Sequence, residues 1–213
     1  MRVVAIVVAA GAGERFGARK QFVDLEGRCA AARAVEAARS VASHIVLVAP
    51  RDALGDAHGA DVVVAGGATR AASVRAGLAA LDASASVVIV HDAARPLATP
   101  TLFRAVVAAL DDPEVDAAIP GLAVVDTIKR VRAEDGHVTE TLVRDGLVAV
   151  QTPQAFRAAT LRRAHEGAPE ATDDAGLVEA IGGRVVVVQG EDANRKITTL
   201  EDLERARAAL VRA

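Results

Sequence analysis

Val3-Val4-Ala5-Ile6-Val7-Val8 runs directly into Ala9-Ala10-Gly11-Ala12-Gly13-Glu14-Arg15-Phe16-Gly17-Ala18-Arg19-Lys20. The β-branched run reads as a strand buried on both faces, and the glycines after it open a loop. A loop of this kind is built to hold phosphate. Small residues let successive backbone N–H groups approach an anion, while Arg15 and Lys20 add charges that can follow charge developing on a reacting phosphoryl group. The dinucleotide fingerprint is disfavoured because three residues separate Gly13 from Gly17 and the second strand ends in Ala49-Pro50 rather than an acid. Gly17 is followed by Ala18-Arg19 instead of Lys-Ser/Thr, which excludes an ordinary P-loop.

Outward from that strand, short Val/Ile/Ala runs recur at Val3–Val8, His44–Ala49, Asp61–Ala65, Val87–His91, Val115–Pro120 and Arg184–Gln189. Segments of helical period lie between them, at Ala30–Ser40, Thr69–Leu81, Thr99–Leu110, Pro153–Glu166, Asp173–Ile181 and Thr199–Val211. The alternation predicts an α/β fold with a mostly parallel, Rossmann-like sheet covered by helices on both faces. Thr99-Pro100 and Thr152-Pro153 each place a capping hydroxyl before a proline at the first helical position, and Thr198 with Glu201 reads as a capping box. Capping accounts for the hydroxyls of Thr152 and Thr172 without a ligand.

Leu122 to Gly146 breaks the alternation. Two charged arms, Val124–Val131 and His137–Val143, flank the turn-forming Glu134-Asp135-Gly136 and predict a projecting hairpin. A lone two-stranded ribbon is marginal in water, so a second copy of the chain is the expected surface for it to pack on. The whole of 1–213 reads as one domain carrying a 122–146 β-arm.

Composition narrows the partners. The chain is 52% hydrophobic with a formal net charge of -3, so no whole-chain field attracts nucleic acid or an anionic membrane, and an anion site must concentrate cations locally. Of 25 basic residues only Lys20, Lys129 and Lys196 are lysines. A single cysteine, Cys29, excludes an internal disulfide and fits a reducing cytoplasm. The apolar N-terminal run is too short for a spanning helix.

Two further segments carry chemistry. Val88-Ile89-Val90-His91-Asp92-Ala93-Ala94-Arg95-Pro96 ends a strand in a carboxylate and an arginine, where open α/β sheets bind ligands. Asp92 is suited to Mg2+ on a triphosphate, directly or through water, and equally to an ion pair with Arg95 that closes the turn. His91 reads as a packed or capping imidazole. Gly66-Gly67-Ala68-Thr69-Arg70-Ala71-Ala72-Ser73-Val74 turns from a strand into a helix, offering backbone groups and Ser73 to the edge of a base, although a turn with a helix cap explains it as well.

Taken in order, Ala-Ala-Gly-x-Gly-x-Arg, Lys20-Gln21-Phe22, Gly-Gly-x-x-Arg-x-x-Ser-Val, Val90–Pro96, Asp126-Thr127-Ile128-Lys129-Arg130, Thr152-Pro153-Gln154, Thr172-Asp173-Asp174 and Asn194-Arg195-Lys196-Ile197-Thr198 make the chain resemble the 2-C-methyl-D-erythritol 4-phosphate cytidylyltransferases over nearly its full length. The resemblance implies transfer of a cytidylyl group from CTP to methylerythritol phosphate, with Mg2+ as cofactor and pyrophosphate released. It gives Arg15 and Lys20 the transition state, and Arg144 and Lys196 the substrate phosphate. Ala9, Ala10, Gly11, Ala12, Gly13, Gly67, Ser73, Asp92 and Ala93 fall to CTP. Asp92, Arg95, Thr127, Thr152 and Thr172 join Arg144 and Lys196 on the substrate side, with Thr127 and Arg144 reaching a neighbour's site in a homodimer. Departures from the family pattern are Ala68 in place of an acid, a short Arg15–Lys20 segment, and the placing of Glu191-Asp192-Ala193. Transfer to another polyol phosphate such as ribitol 5-phosphate, and a non-catalytic nucleotide-binding module, are the competing readings.

Overall fold

Side chains of the first strand, β1 (Val3–Val8), alternate between two buried layers, and that alternation organises the molecule. Val3, Ala5 and Val7 enter one core and Val4 and Ile6 the other, as expected of a central strand covered on both faces. The structure is a computed structural model, and it describes residues 1–11 and 19–211.

After β1 the described elements are β2 (Asp24–Leu25), β3 (Arg28–Cys29), α1 (Ala30–Arg39), β4 (His44–Ala49), β5 (Val62–Ala65), α2 (Arg70–Ala79), β6 (Val87–Asp92), α3 (Pro100–Ala108), β7 (Ala117–Ala123), β8 (Lys129–Val131), β9 (Val138–Thr141), β10 (Val148–Val150), β11 (Gln154–Arg157), α4 (Ala158–Ala164), α5 (Asp174–Ala180), β12 (Val185–Gln189) and α6 (Leu200–Val211). The main sheet runs β10-β7-β11-β6-β1-β4-β5, with β12 also on β7. Pairings β1–β4, β1–β6, β4–β5 and β7–β12 are parallel, whereas β11 is antiparallel to both β6 and β7.

One core packs α1 and α3 against the sheet, and the other packs α2, α4 and α5. Small residues bring the helices close. A Cβ on Gly77 of α2 would lie 2.6 Å from Ile6 Cγ2, a distance no real contact tolerates. The end helix α6 closes a smaller cluster of Leu25, Ala30, Ile197, Leu203 and Ala206. Among the described residues no helix is long and apolar enough to cross a membrane.

Three local expectations are corrected. The predicted helix Pro153–Glu166 is β11 followed by α4, so Thr152 does not cap it and Pro153 is not its first residue. Gln154-Ala155-Phe156-Arg157 has period two, with Ala155 in one core and Phe156 in the other, and it fills the space between β6 and β7. That pairing is long-range and has no local signal. The Thr198–Glu201 box is displaced by one residue: the Asp202 carboxylate accepts from the Thr198 and Thr199 N–H groups at 2.8 and 2.9 Å, and its own N–H donates to Thr199 Oγ1 at 3.2 Å. Asp173, whose carboxylate accepts from Gly176 N–H at 3.1 Å, caps α5, so capping does not explain the exposed Thr172.

The predicted hairpin forms as β8 and β9, a separate two-stranded sheet shorter than both predicted arms, with Gly136 at φ 72° beside its turn. Short β10 and the β2–β3 ribbon escaped the sequence reading because strands of two or three residues carry too little pattern.

Candidate active site

The carboxyl ends of β1, β4, β5 and β6 form one rim. Register pairs Val8 with both Val48 and Asp92, Ala9 N–H donates to Val48 O at 2.7 Å, and Ala93 N–H donates to Val8 O at 3.0 Å. On this rim the first strand gives way to the glycine loop. Buried Gln21 closes the loop: its Nε2 donates to Ala9 O at 2.6 Å and to Gly11 O at 3.0 Å. The clamp sets the short 3-10 turn Lys20–Phe22 beside the start of the loop. Ala12, Gly13 and Arg15, and the side chain of Lys20, lie outside the described residues.

The paired glycines serve close approach. A Cβ on Gly66 would fall 2.2 Å from Ala10 Cβ and push the turn away from the start of the loop, and one on Gly67 would fall 2.5 Å from Ala72 Cβ of α2. Thr69 caps α2 by accepting from Ala72 N–H at 3.0 Å. Ser73 donates to Thr69 O at 2.9 Å and accepts from Gly67 N–H at 3.2 Å. Both bonds shape the turn, and the side chain is buried.

Asp92 is the electrostatic centre. Its Oδ1 lies 3.1 Å from Arg70 Nε and its Oδ2 lies 2.6 Å from Lys196 Nζ. Burial alone would raise its pKa, but Arg70 and Lys196 outweigh burial and hold the carboxyl far below the usual carboxylate range. Arg70 also meets Asp174 at 2.6 Å. Arg70 enters the sequence motifs only as the arginine of Gly-Gly-x-x-Arg-x-x-Ser-Val, one residue into the helix after the glycine turn, with no role attached.

Beside Asp92 the hydrogen-bond directions are fixed by elimination. The carbonyl of Arg95 can only accept, so His91 Nε2, 3.1 Å away, carries the proton. His91 Nδ1 must then accept from the Thr152 hydroxyl at 3.0 Å, and that hydroxyl accepts from Asp92 N–H at 3.0 Å. Burial pushes the His91 pKa down to about 4, so the imidazole is neutral at pH 7. Its ring also meets Phe103 edge-on, with centroids 5.0 Å apart. The packed reading of His91 holds, and Thr152 is a strut under Asp92.

Lys196 is delivered by a pinned loop. Gln151 Oε1 accepts from Glu191 N–H and Asn194 Nδ2, both at 3.1 Å, and Asn194 Nδ2 donates to Thr152 O at 2.9 Å. Arg95 donates to Asn194 O at 2.8 Å, and Ile197 N–H donates to Ala94 O at 2.8 Å. The alternative Asp92–Arg95 ion pair is replaced by this arrangement: Arg95 holds backbone carbonyls while Asp92 takes Arg70 and Lys196. Gln151 and Asn194 were missed because buried amides acting on distant backbone leave no spacing pattern.

Thr127 and Arg144 are exposed on the arm, and the Arg144 guanidinium donates to the arm's own Val125 carbonyl. Thr172 is exposed just before α5. The rim therefore gathers Ala9, Ala10, Gly11, Gly67, Ser73, Asp92, Ala93, Arg95, Thr152 and Lys196, while Thr127 and Arg144 stand on a separate element.

A cradle of small residues beside a cation-balanced carboxylate at strand ends is suited to phosphoryl chemistry, and comparison with known proteins agrees. The family model IspD: 2-C-methyl-D-erythritol 4-phosphate cytidylyltransferase matches residues 3–212. A 2-C-methyl-D-erythritol 4-phosphate cytidylyltransferase of Frankia casuarinae is 48% identical over 220 residues, covering 99% of this chain and 82% of that protein. The enzyme of that name from Rhodococcus opacus is 48% identical over 215 residues, covering 97% of this chain and 94% of its own. The crystal structure of 2-C-methyl-D-erythritol 4-phosphate cytidylyltransferase from Thermus thermophilus superposes with a TM-score of 0.84 at 38% identity, covering 100% of both chains. The chain belongs to the IspD, or 2-C-methyl-D-erythritol 4-phosphate cytidylyltransferase, family.

Proposed function

We propose that this protein transfers the cytidylyl group of CTP to the phosphate of 2-C-methyl-D-erythritol 4-phosphate, releasing pyrophosphate. The observation that carries the reading is the placing of Lys196 and Asp92 on the same rim as Ala9–Gly11 and Gly66–Gly67. A substrate phosphate oxygen attacks the α-phosphorus, and the bond from that phosphorus to the pyrophosphate oxygen breaks. Lys196, with Arg144 from a partner, holds the attacking phosphate, while Arg15 and Lys20 face the charge gathering on the α-phosphoryl oxygens. No general base is required, since the nucleophile is already ionised near neutral pH. His91 fits that economy, with both ring nitrogens engaged inside the protein.

Mg2+ belongs to the proposal as a companion of CTP. Among the described residues no cluster of three or more His, Cys, Asp or Glu is poised to cage a metal, and Asp92 is one carboxylate between two cations. That donor set fits an ion held mostly by triphosphate oxygens, with Asp92 as its protein contact, directly or through water. When bound, the ion neutralises charge on the triphosphate.

We further propose a homodimer in which the arm completes the neighbouring site, acting in the cytoplasm. Val125 and Val143, flanking the arm's ribbon, are 76% and 79% exposed, and Val131, Val138, Val148 and Val150 are exposed near them. An apolar series of this kind along the arm and the adjoining strand β10 calls for a covering surface. The test of the reaction is pyrophosphate release from CTP and Mg2+ with methylerythritol phosphate or ribitol 5-phosphate as acceptor. Preference for the first supports the proposal; turnover of ribitol 5-phosphate alone overturns it.

A further inference from the structure

Behind the site runs a largely buried chain of hydrogen-bonded polar side chains. His165 Nε2 lies 3.0 Å from Asp174 Oδ1, Asp174 Oδ2 lies 2.6 Å from Arg70 Nη1, Arg70 Nε lies 3.1 Å from Asp92 Oδ1, and Asp92 Oδ2 lies 2.6 Å from Lys196 Nζ. Asp174 is fully buried and His165 nearly so, and neither has a part in the chemistry described above. A buried carboxylate carries a desolvation cost, and a well-packed apolar pair serves stability as well or better. The geometry gives the pair another use.

Arginine binds a carboxylate best through two nitrogens at once. Here it does not: Asp174 takes Nη1, leaving Nε for a single bond to Asp92. Without the charge on Asp174, the guanidinium is free to turn both donors onto Asp92 and draw its carboxylate away from Lys196. We propose that Asp174, oriented by His165, is a positioning residue that divides Arg70 between two carboxylates and so keeps Asp92 Oδ2 in place to aim the Lys196 ammonium at the substrate phosphate. This rests on the function proposed above only in naming what Lys196 meets; the coupling of Asp174 to Lys196 is a property of the protein alone.

The scarcity of lysine provides a direct readout. In the full-length protein, acetylation of Lys196 is timed by peptide mass spectrometry, with the arm residue Lys129 as internal reference. An ammonium tied to a carboxylate reacts slowly, so Asp174→Asn is expected to speed acetylation of Lys196 by about threefold or more relative to Lys129, consistent with neighbouring sites that couple. Asp174→Glu, which keeps the charge, stays near wild type. Asp174→Ser, smaller and also uncharged, covers the case in which Asp174→Asn does not fold, and in an Arg70→Lys background, which keeps a cation without the fork, Asp174→Asn gives no further acceleration. Unchanged Lys196 labelling in a folded Asp174→Asn or Asp174→Ser protein overturns the proposal.

Kinetics supply the second arm. Asp174→Asn should raise KM for methylerythritol phosphate about tenfold with KM for CTP within about twofold, and should cost little more in a Lys196→Ala background. Equal losses in both backgrounds overturn the proposal. If wild-type protein turned over no polyol phosphate while the labelling shift persisted, the coupling would stand and the assigned reaction would fall.

Discussion

Lys196 Nζ and Asp92 Oδ2 lie 2.6 Å apart although 104 residues separate them in the chain, and this tie joins the α6-side loop to the end of β6. Lys196→Ala removes the cation that holds the attacking phosphate and leaves Asp92 with Arg70 alone. Turnover should fall by about two to three orders of magnitude, as for loss of one oriented charge at a reacting centre, while CTP affinity stays within about threefold. Steady-state kinetics with each substrate varied in turn check the split.

Gln21 closes the glycine loop through two carbonyls. Gln21→Ala leaves the buried Ala9 carbonyl without that donor and should cost about 1–3 kcal/mol in denaturant unfolding. Because the loop start loses its clamp, KM for CTP should rise as well. Gln21→Glu, which cannot donate to both carbonyls, should resemble alanine.

Thr152 is predicted to act as a strut. Thr152→Val keeps the shape but leaves Asp92 N–H and His91 Nδ1 unpaired, for a cost of about 1–3 kcal/mol, whereas Thr152→Ser retains both bonds and stays within about 1 kcal/mol. Thermal and denaturant melts of the two variants decide the point.

How much of this was legible in the sequence follows from the range of each interaction. β1, β4, β6, α2 and α3 stand close to their predicted bounds because period and capping are local, as with Thr99, which accepts from Leu102 N–H at 3.2 Å. β11 was hidden because a four-residue antiparallel insertion is specified by the strands on either side of it. At the site, Asp92 and Lys196 were named from motifs, but their contact and the roles of Arg70, Asp174, Gln21 and Gln151 are tertiary. Residue type shows that a cation is present; only the fold shows which carboxylate it serves.

His91 gives the stability a pH signature. Its folded pKa of about 4 lies below the ordinary 6.5, so between those values the unfolded chain binds more protons than the folded one. Stability contributed by neutral His91 is therefore fully present above pH 6.5 and is lost as pH falls toward 4. Melting temperature should decline across that window, and His91→Gln, which does not titrate, should flatten the slope. An identical slope would show that other groups govern it.

Subunit sharing predicts complementation. Lys196→Ala and Arg144→Ala proteins, each nearly inactive, should recover about a quarter of wild-type activity when co-expressed in equal amounts, because half the dimers are mixed and each mixed dimer has one intact site. Activity no greater than the sum of the two parents would place Arg144 outside the neighbour's site.

The most direct test of the assigned chemistry is phosphorus NMR of wild-type protein with CTP, Mg2+ and methylerythritol phosphate. The phosphomonoester signal of the acceptor is expected to give way to a coupled pair of diphosphate doublets as free pyrophosphate appears in equal amount. An unchanged phosphomonoester signal, with CTP either intact or hydrolysed to CMP, would contradict it.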